Sequence, residues 1–168
     1  MRIFYLMLLP ITFLFAHPHC FIDVYPSIRE KQIEITWIMD EMSSQIMLMD
    51  FDRDHNGQLS SQESLSLFQE TFVSLKKYNY YIRFLRQKTL LPTGKVSNFR
   101  ASVSKGKVQY RFRLPLPAGT TTVRFCDEEN YTAFIVNDAF VRKANAGKFY
   151  KVKPYNGEIG VGYAMELK

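Results

Sequence analysis

Between Gln32 and Met39 the chain alternates without a break. Ile33, Ile35, Trp37 and Met39 fall on one side of an extended strand, and Gln32, Glu34 and Thr36 on the other. The stretch before it, His17 to Ile28, reads as a partner strand, with the polar Arg29-Glu30-Lys31 as the turn of a hairpin. The period then lengthens. Met42, Ile46 and Met49 recur at helical spacing, which predicts a short helix over Glu41–Phe51. Its methionines, with Met39 and Met47, are expected to pack into the core. A second helix is expected over about Ser61–Lys77, with Leu65, Phe68, Phe72 and Leu75 on one face.

Strands then return, in seven segments between Tyr80 and Leu167. Ser104-Lys105-Gly106-Lys107 serves as a hairpin turn, and Pro115, Pro117 and Gly119 act as breakers. Eight or nine short strands with close turns predict a mostly β fold, an antiparallel β-sandwich. The helix pair is an insertion into it at about residues 41–77.

Composition supports a packed domain. Hydrophobic residues are 46% and charged residues 23% of the 168, outside the disordered range, and the 14 Phe and 10 Tyr favour strands. No internal repeat of 20–50 residues occurs, which excludes solenoids and propellers. No Gly-rich phosphate loop, G-x-S-x-G or H-E-x-x-H is present, so the chain is not expected to be an enzyme.

The first residues read as a targeting signal. Met1 and Arg2 precede an apolar run from Ile3 to Phe15, too short for a stable span of about 20 residues, and the small Ala16 suits cleavage. Residues 1–16 are therefore expected to be a removed signal peptide, and 17–168 one exported β-rich domain. In an oxidising compartment Cys20 and Cys126 allow one disulfide, the alternative being two buried free thiols.

Charge is segregated. His17–Glu70 holds 10 acids and 3 bases, Thr71–Cys126 holds 12 bases and no acid, and the remainder is balanced. Arg111 and Arg113 alternate with apolar neighbours and so share one strand face. That face is either a solvated surface or a docking surface for an anionic partner or anionic membrane surface; nucleic acid is not expected for an exported chain.

Two motifs carry chemistry. Asp52-Arg53-Asp54-His55-Asn56-Gly57-Gln58-Leu59-Ser60-Ser61-Gln62-Glu63 fits the calcium-loop pattern D-x-[DN]-x-[DN]-G-x₅-E between two expected helices, as an EF-hand requires. Calcium takes six to eight hard oxygen ligands. Asp52, Asp54 and Asn56 would supply side-chain oxygens, Gln58 its carbonyl, Ser60 a direct or water-mediated contact, and Glu63 two oxygens, while His55 faces outward. A single loop suggests a structural calcium and not a switch.

The second motif is the new N-terminus, His17-Pro18-His19. Residues two apart in an extended chain share a face about 6–7 Å apart, and imidazole suits zinc, nickel and copper. Pro18 lacks the amide N–H that a planar terminal copper or nickel chelate needs. A third ligand must come from elsewhere, with Asp127, Glu128 and Glu129 as candidates.

Taken together, His17-Pro18-His19-Cys20-Phe21-Ile22-Asp23, Trp37-Ile38-Met39-Asp40-Glu41, the calcium loop, Tyr110-Arg111-Phe112-Arg113-Leu114-Pro115 and Asp127 with Tyr131-Thr132-Ala133-Phe134 resemble a family. It is that of the uncharacterised periplasmic proteins found beside nickel/cobalt-type metal permeases. The resemblance implies a periplasmic accessory protein of zinc or nickel transport, with an inner-membrane permease as partner and His17, His19 and Asp127 as the matching polar positions. Departures fall at Cys20, Cys126, Glu128 and Asn130. The alternative is a calcium-stabilised structural or interaction module without a transition-metal role.

Overall fold

The structure, a computed structural model, describes residues 20–129, 131–144, 150–157 and 160–167. Among the described residues ten strands form two five-stranded sheets. Strands β1 (Cys20–Arg29), β2 (Gln32–Met39), β5 (Ser97–Ser104), β6 (Lys107–Pro115) and β8 (Thr132–Val136) make the first, in the order β5-β6-β2-β1-β8. Strands β3 (Ile82–Arg86), β4 (Thr89–Leu91), β7 (Thr122–Asp127), β9 (Tyr150–Gly157) and β10 (Gly160–Leu167) make the second, in the order β4-β3-β7-β10-β9. Helices α1 (Glu41–Phe51) and α2 (Ser61–Glu70), a 3-10 stretch (Phe72–Tyr81) and α3 (Asp138–Ala144) complete the described residues.

Period-two alternation dictates the architecture. In β2 and β6 every second residue is buried, from Ile33 to Met39 and from Val108 to Leu114, while Glu34, Thr36, Arg111 and Arg113 face away. Residues of the second sheet, among them Ile82, Phe84, Val123, Phe125 and Met165, join the same hydrophobic cluster. Trp37 lies at its centre, 5.0 Å from the Phe112 ring and 5.6 Å from that of Phe134. Phe72, fully buried, brings the 3-10 stretch onto Trp37, Tyr110, Phe112 and Phe99. At the β5–β6 hairpin Lys105 and Gly106 both take positive φ, as a two-residue primed turn requires.

Four expectations are corrected. The sheets are not wholly antiparallel, because β8 runs parallel to β1, with Cys20 opposite Thr132 and Val24 opposite Val136. The second helix stops at Glu70, where the Thr71 hydroxyl donates to Leu67 O, and a 3-10 stretch with positive φ at Asn79 and Tyr80 replaces its predicted end. The α1 stripe faces outward. Met42, Ile46 and Met49 are 57%, 50% and 80% exposed, and Leu65 of α2 is also exposed. The helix is instead anchored through buried Ser44, whose hydroxyl accepts from Val108 N, and through Phe51 and Met47. Strand β4 and helix α3 have no counterpart in the sequence expectation.

The fourth correction concerns the cysteines, which are not bonded. Cys20 packs against the core and accepts a hydrogen bond from Ser43 Oγ at 3.3 Å. Cys126 belongs to the other sheet. Val123 and Phe125 of β7 point into the core, so alternation turns Cys126 with Arg124 to the opposite face. Burial pushes both thiols up, against the Ser43 hydrogen bond at Cys20 and against Arg83 and Arg124 at Cys126.

Candidate metal centre

The loop between α1 and α2 gathers its acids by local geometry alone. Asp52 caps α1, its N–H bonding Leu48 O, and its two carboxylate oxygens accept from Asn56 N at 3.1 Å and Gly57 N at 2.8 Å. Gly57 sits at φ +75°, a left-handed conformation that a Cβ disfavours. The amide of Asn56 donates to Asp54 Oδ2, and its own oxygen accepts from Gln58 N at 2.7 Å. At the far end Ser60 and Glu63 form a capping box. Glu63 Oε2 accepts from Ser60 N at 2.8 Å and Oε1 from Arg53 N at 2.7 Å, so this one side chain ties α2 to the loop's start.

The outcome is convergence. One carboxylate oxygen each from Asp52, Asp54 and Glu63 lie within 4.8 Å of one another. Two oxygens bound to one calcium at about 2.4 Å are at most about 5 Å apart, so the three can share an ion. Asp52 and Glu63 are buried, while Asp54 is exposed and leaves the cluster open to solvent. None of the three has an ion-pair partner among the described residues. Hydrogen bonds from Ser60 and Arg53 hold the Glu63 carboxyl below its usual range, and it stays ionised in mild acid. An all-oxygen donor set suits hard cations.

A second group of ionisable residues stands where β1 begins. Asp127, 3% exposed, ends β7 and organises the turn into β8, accepting from Glu129 N at 2.9 Å and Thr132 N at 3.0 Å. Cys20 N bonds Tyr131 O at 3.3 Å, so the first described residue of β1 lies beside this turn. Tyr81, at positive φ, has its hydroxyl pushed up to about 12, chiefly by burial, then by Asp127, Tyr78, Glu129 and Cys20. Buried Arg83 pairs with Glu128 and donates to Tyr78 O at 2.7 Å.

A family model described as "Protein of unknown function (DUF1007)" matches residues 2–164. The chain belongs to the DUF1007 family. A relative, the "Uncharacterized 15.5 kDa protein in trpE 3'region" of Spirochaeta aurantia, is 31% identical over 96 residues, covering 54% of this chain and 69% of that protein. No solved structure matches.

In this DUF1007 chain the loop acids are the sequence-derived ligands that meet. Asp52, Asp54 and Glu63 converge, and Asn56 stands between them as a hydrogen-bonding partner. Gln58 enters the loop's bonding through its N–H, and the Ser60 hydroxyl is engaged as the α2 cap, accepting from Glu63 N. His55 is exposed. His17 and His19 lie outside the described residues; Asp127 is not part of the convergent cluster. Sequence reasoning missed Asp40. Its carboxylate accepts from Phe21 N at 2.6 Å and from Ser43 N at 2.7 Å, tying β1 to the start of α1. Partial burial works against its ionisation, but these bonds and that from Ser43 Oγ outweigh it and lower its pKa. An Asp immediately before a helical period is the signal that marks such a cap.

Proposed function

We propose that this DUF1007 protein is an exported, calcium-stabilised β-sandwich whose Asp52–Glu63 loop binds one calcium ion as an EF-hand. The convergence of Asp52, Asp54 and Glu63 carries the reading. Calcium would bring together carboxylates that otherwise repel, and would fasten α1 to α2 through Glu63, whose neighbour Ser64 ties α2 to β5, its hydroxyl oxygen accepting from Ala101 N at 2.7 Å. The ion is structural in this reading. It ties the helix pair to the first sheet, and the protein binds ions without catalysing a reaction. Elemental analysis of protein isolated from the periplasm without chelator tests it: one calcium per chain is expected, and none overturns it.

A second ion is favoured by the placement of β1. Cys20 lies opposite Thr132, and Thr132 N bonds the Asp127 carboxylate, so a chain leaving β1 towards His19 starts beside Asp127. With its resemblance to permease-associated proteins, this supports a periplasmic accessory role in zinc or nickel transport. His17 and His19 would bind the metal with Asp127, and an inner-membrane permease would receive or deliver it. The ligands must be deprotonated, so affinity falls as pH drops through about 6.5. Replacing both histidines with alanine should abolish zinc and nickel binding while leaving calcium uptake intact. Unchanged zinc and nickel affinity would remove the reading.

A further inference from the structure

The outward face of the first sheet carries charge that the fold does not neutralise. Arg111 lies between core residues Tyr110 and Phe112, and Arg100 precedes core residue Ala101, so both turn away from the core. They stand directly opposite each other on β5 and β6, and both are exposed. Like charges facing across a strand pair are destabilising, and neither guanidinium has an ion-pair partner among the described residues. The next row shows the contrast: Arg113 is opposite Glu34 and bonds it at 2.7 Å. Lys107 continues the same face of β6 towards the hairpin tip, where Lys105 is exposed. Residues 71–126 contain no acid, so β5 and β6 themselves supply none to this strip.

The occupant follows from what else lies there. Thr36, Gln109 and Ser102 fill the neighbouring positions, and Ile38, opposite Gln109, is half-buried, so the strip holds no exposed aromatic or aliphatic anchor of the kind that centres a protein interface. Among the described residues none of the exposed large apolar side chains lies on β5 or β6; they stand on the helices and the 3-10 stretch, at Phe21 and Tyr131, and on β4, β8 and β10. A flat face of cations among small polar groups matches a surface of closely spaced phosphates, which attracts basic residues without requiring a shaped pocket.

We propose that the outward face of β5 and β6, through Arg100, Arg111, Lys107 and Lys105, docks the protein on anionic phospholipid. The inference is independent of both metal sites. Co-sedimentation of the purified protein with vesicles of equal parts phosphatidylglycerol and phosphatidylethanolamine tests it, with phosphatidylcholine vesicles as control and EDTA throughout. Binding to the anionic vesicles alone is expected, and it should vanish near about 1 M salt, where screening acts within about 3 Å. The double variant Arg100→Gln/Arg111→Gln should lose roughly an order of magnitude in partitioning. Its melting temperature should not fall, because the substitution relieves repulsion. Wild-type partitioning by the folded double variant, equal binding to phosphatidylcholine, or binding to polyglutamate but not to vesicles would each overturn the proposal. If the double variant does not fold, loss of wild-type binding in high salt remains the decisive reading.

Discussion

Two acidic regions of this protein are built in opposite ways. The Asp52–Glu63 loop draws every acid from twelve consecutive residues between two helix ends, and three carboxylates converge. The corner at Asp127 is assembled from β1, β7, β8 and the 3-10 stretch, and its most buried carboxylate already serves two backbone amides. The difference teaches how to read a buried acid. In the loop, hydrogen bonds from the backbone shape the carboxylates around a common centre. At the corner they make Asp127 a turn-organising group first, and any metal role is added to that.

Mutating each region separates the two. At calcium concentrations about a hundredfold above the dissociation constant, binding adds about 2.7 kcal/mol to stability. Glu63→Gln should remove most of that gain, seen as the loss of the calcium-dependent rise in melting temperature, and should cost far less in EDTA. Asp127→Ala should behave in reverse. It strands the N–H groups of Glu129 and Thr132 and should cost about 2 kcal/mol in denaturant unfolding with or without metal, since unsatisfied donors cost about 1–3 kcal/mol. Asp127→Asn, which keeps one accepting oxygen, should cost less. A metal-dependent cost at Asp127 in the folded apo protein would make the two regions alike.

The contrast between local and assembled features also marks what the sequence could convey. The twelve-residue loop, the bounds of β2 and α1, and the turn at Lys105-Gly106 are legible because each is fixed by neighbours a few residues apart. The direction of α1's apolar stripe is not. Met42, Ile46 and Met49 keep perfect helical spacing, yet Ser44 bonds Val108 N in the sheet and turns the stripe to solvent. A hydroxyl seeking a partner 64 residues away leaves no local mark. The parallel pairing of β1 with β8 and the separation of Cys20 from Cys126 onto different sheets likewise depend on topology.

Acid should sharpen the comparison on a smaller scale. Glu63 and Asp40 both have lowered pKa values in the folded chain. Their contribution is present above the unfolded carboxylate values of about 4 and is lost as pH falls through the lowered folded ones. Melting temperature in EDTA should therefore hold down to about pH 4 and drop below it, less steeply in Asp40→Asn. The smallest effect belongs to the cysteines. With both thiols free, reductant should leave the melting temperature unchanged, and alkylation of unfolded, unreduced protein should label both. A mass two hydrogens short of the free dithiol would reinstate the bond.

Isothermal titration of EDTA-stripped protein with calcium, run beside Glu63→Gln and Asp52→Asn, tests the central claim most directly. One ion should bind the wild type, with affinity sharply reduced in both variants while both remain folded in EDTA. No calcium uptake by the wild type at millimolar concentration, or uptake that both variants retain undiminished, would contradict the loop as the metal centre.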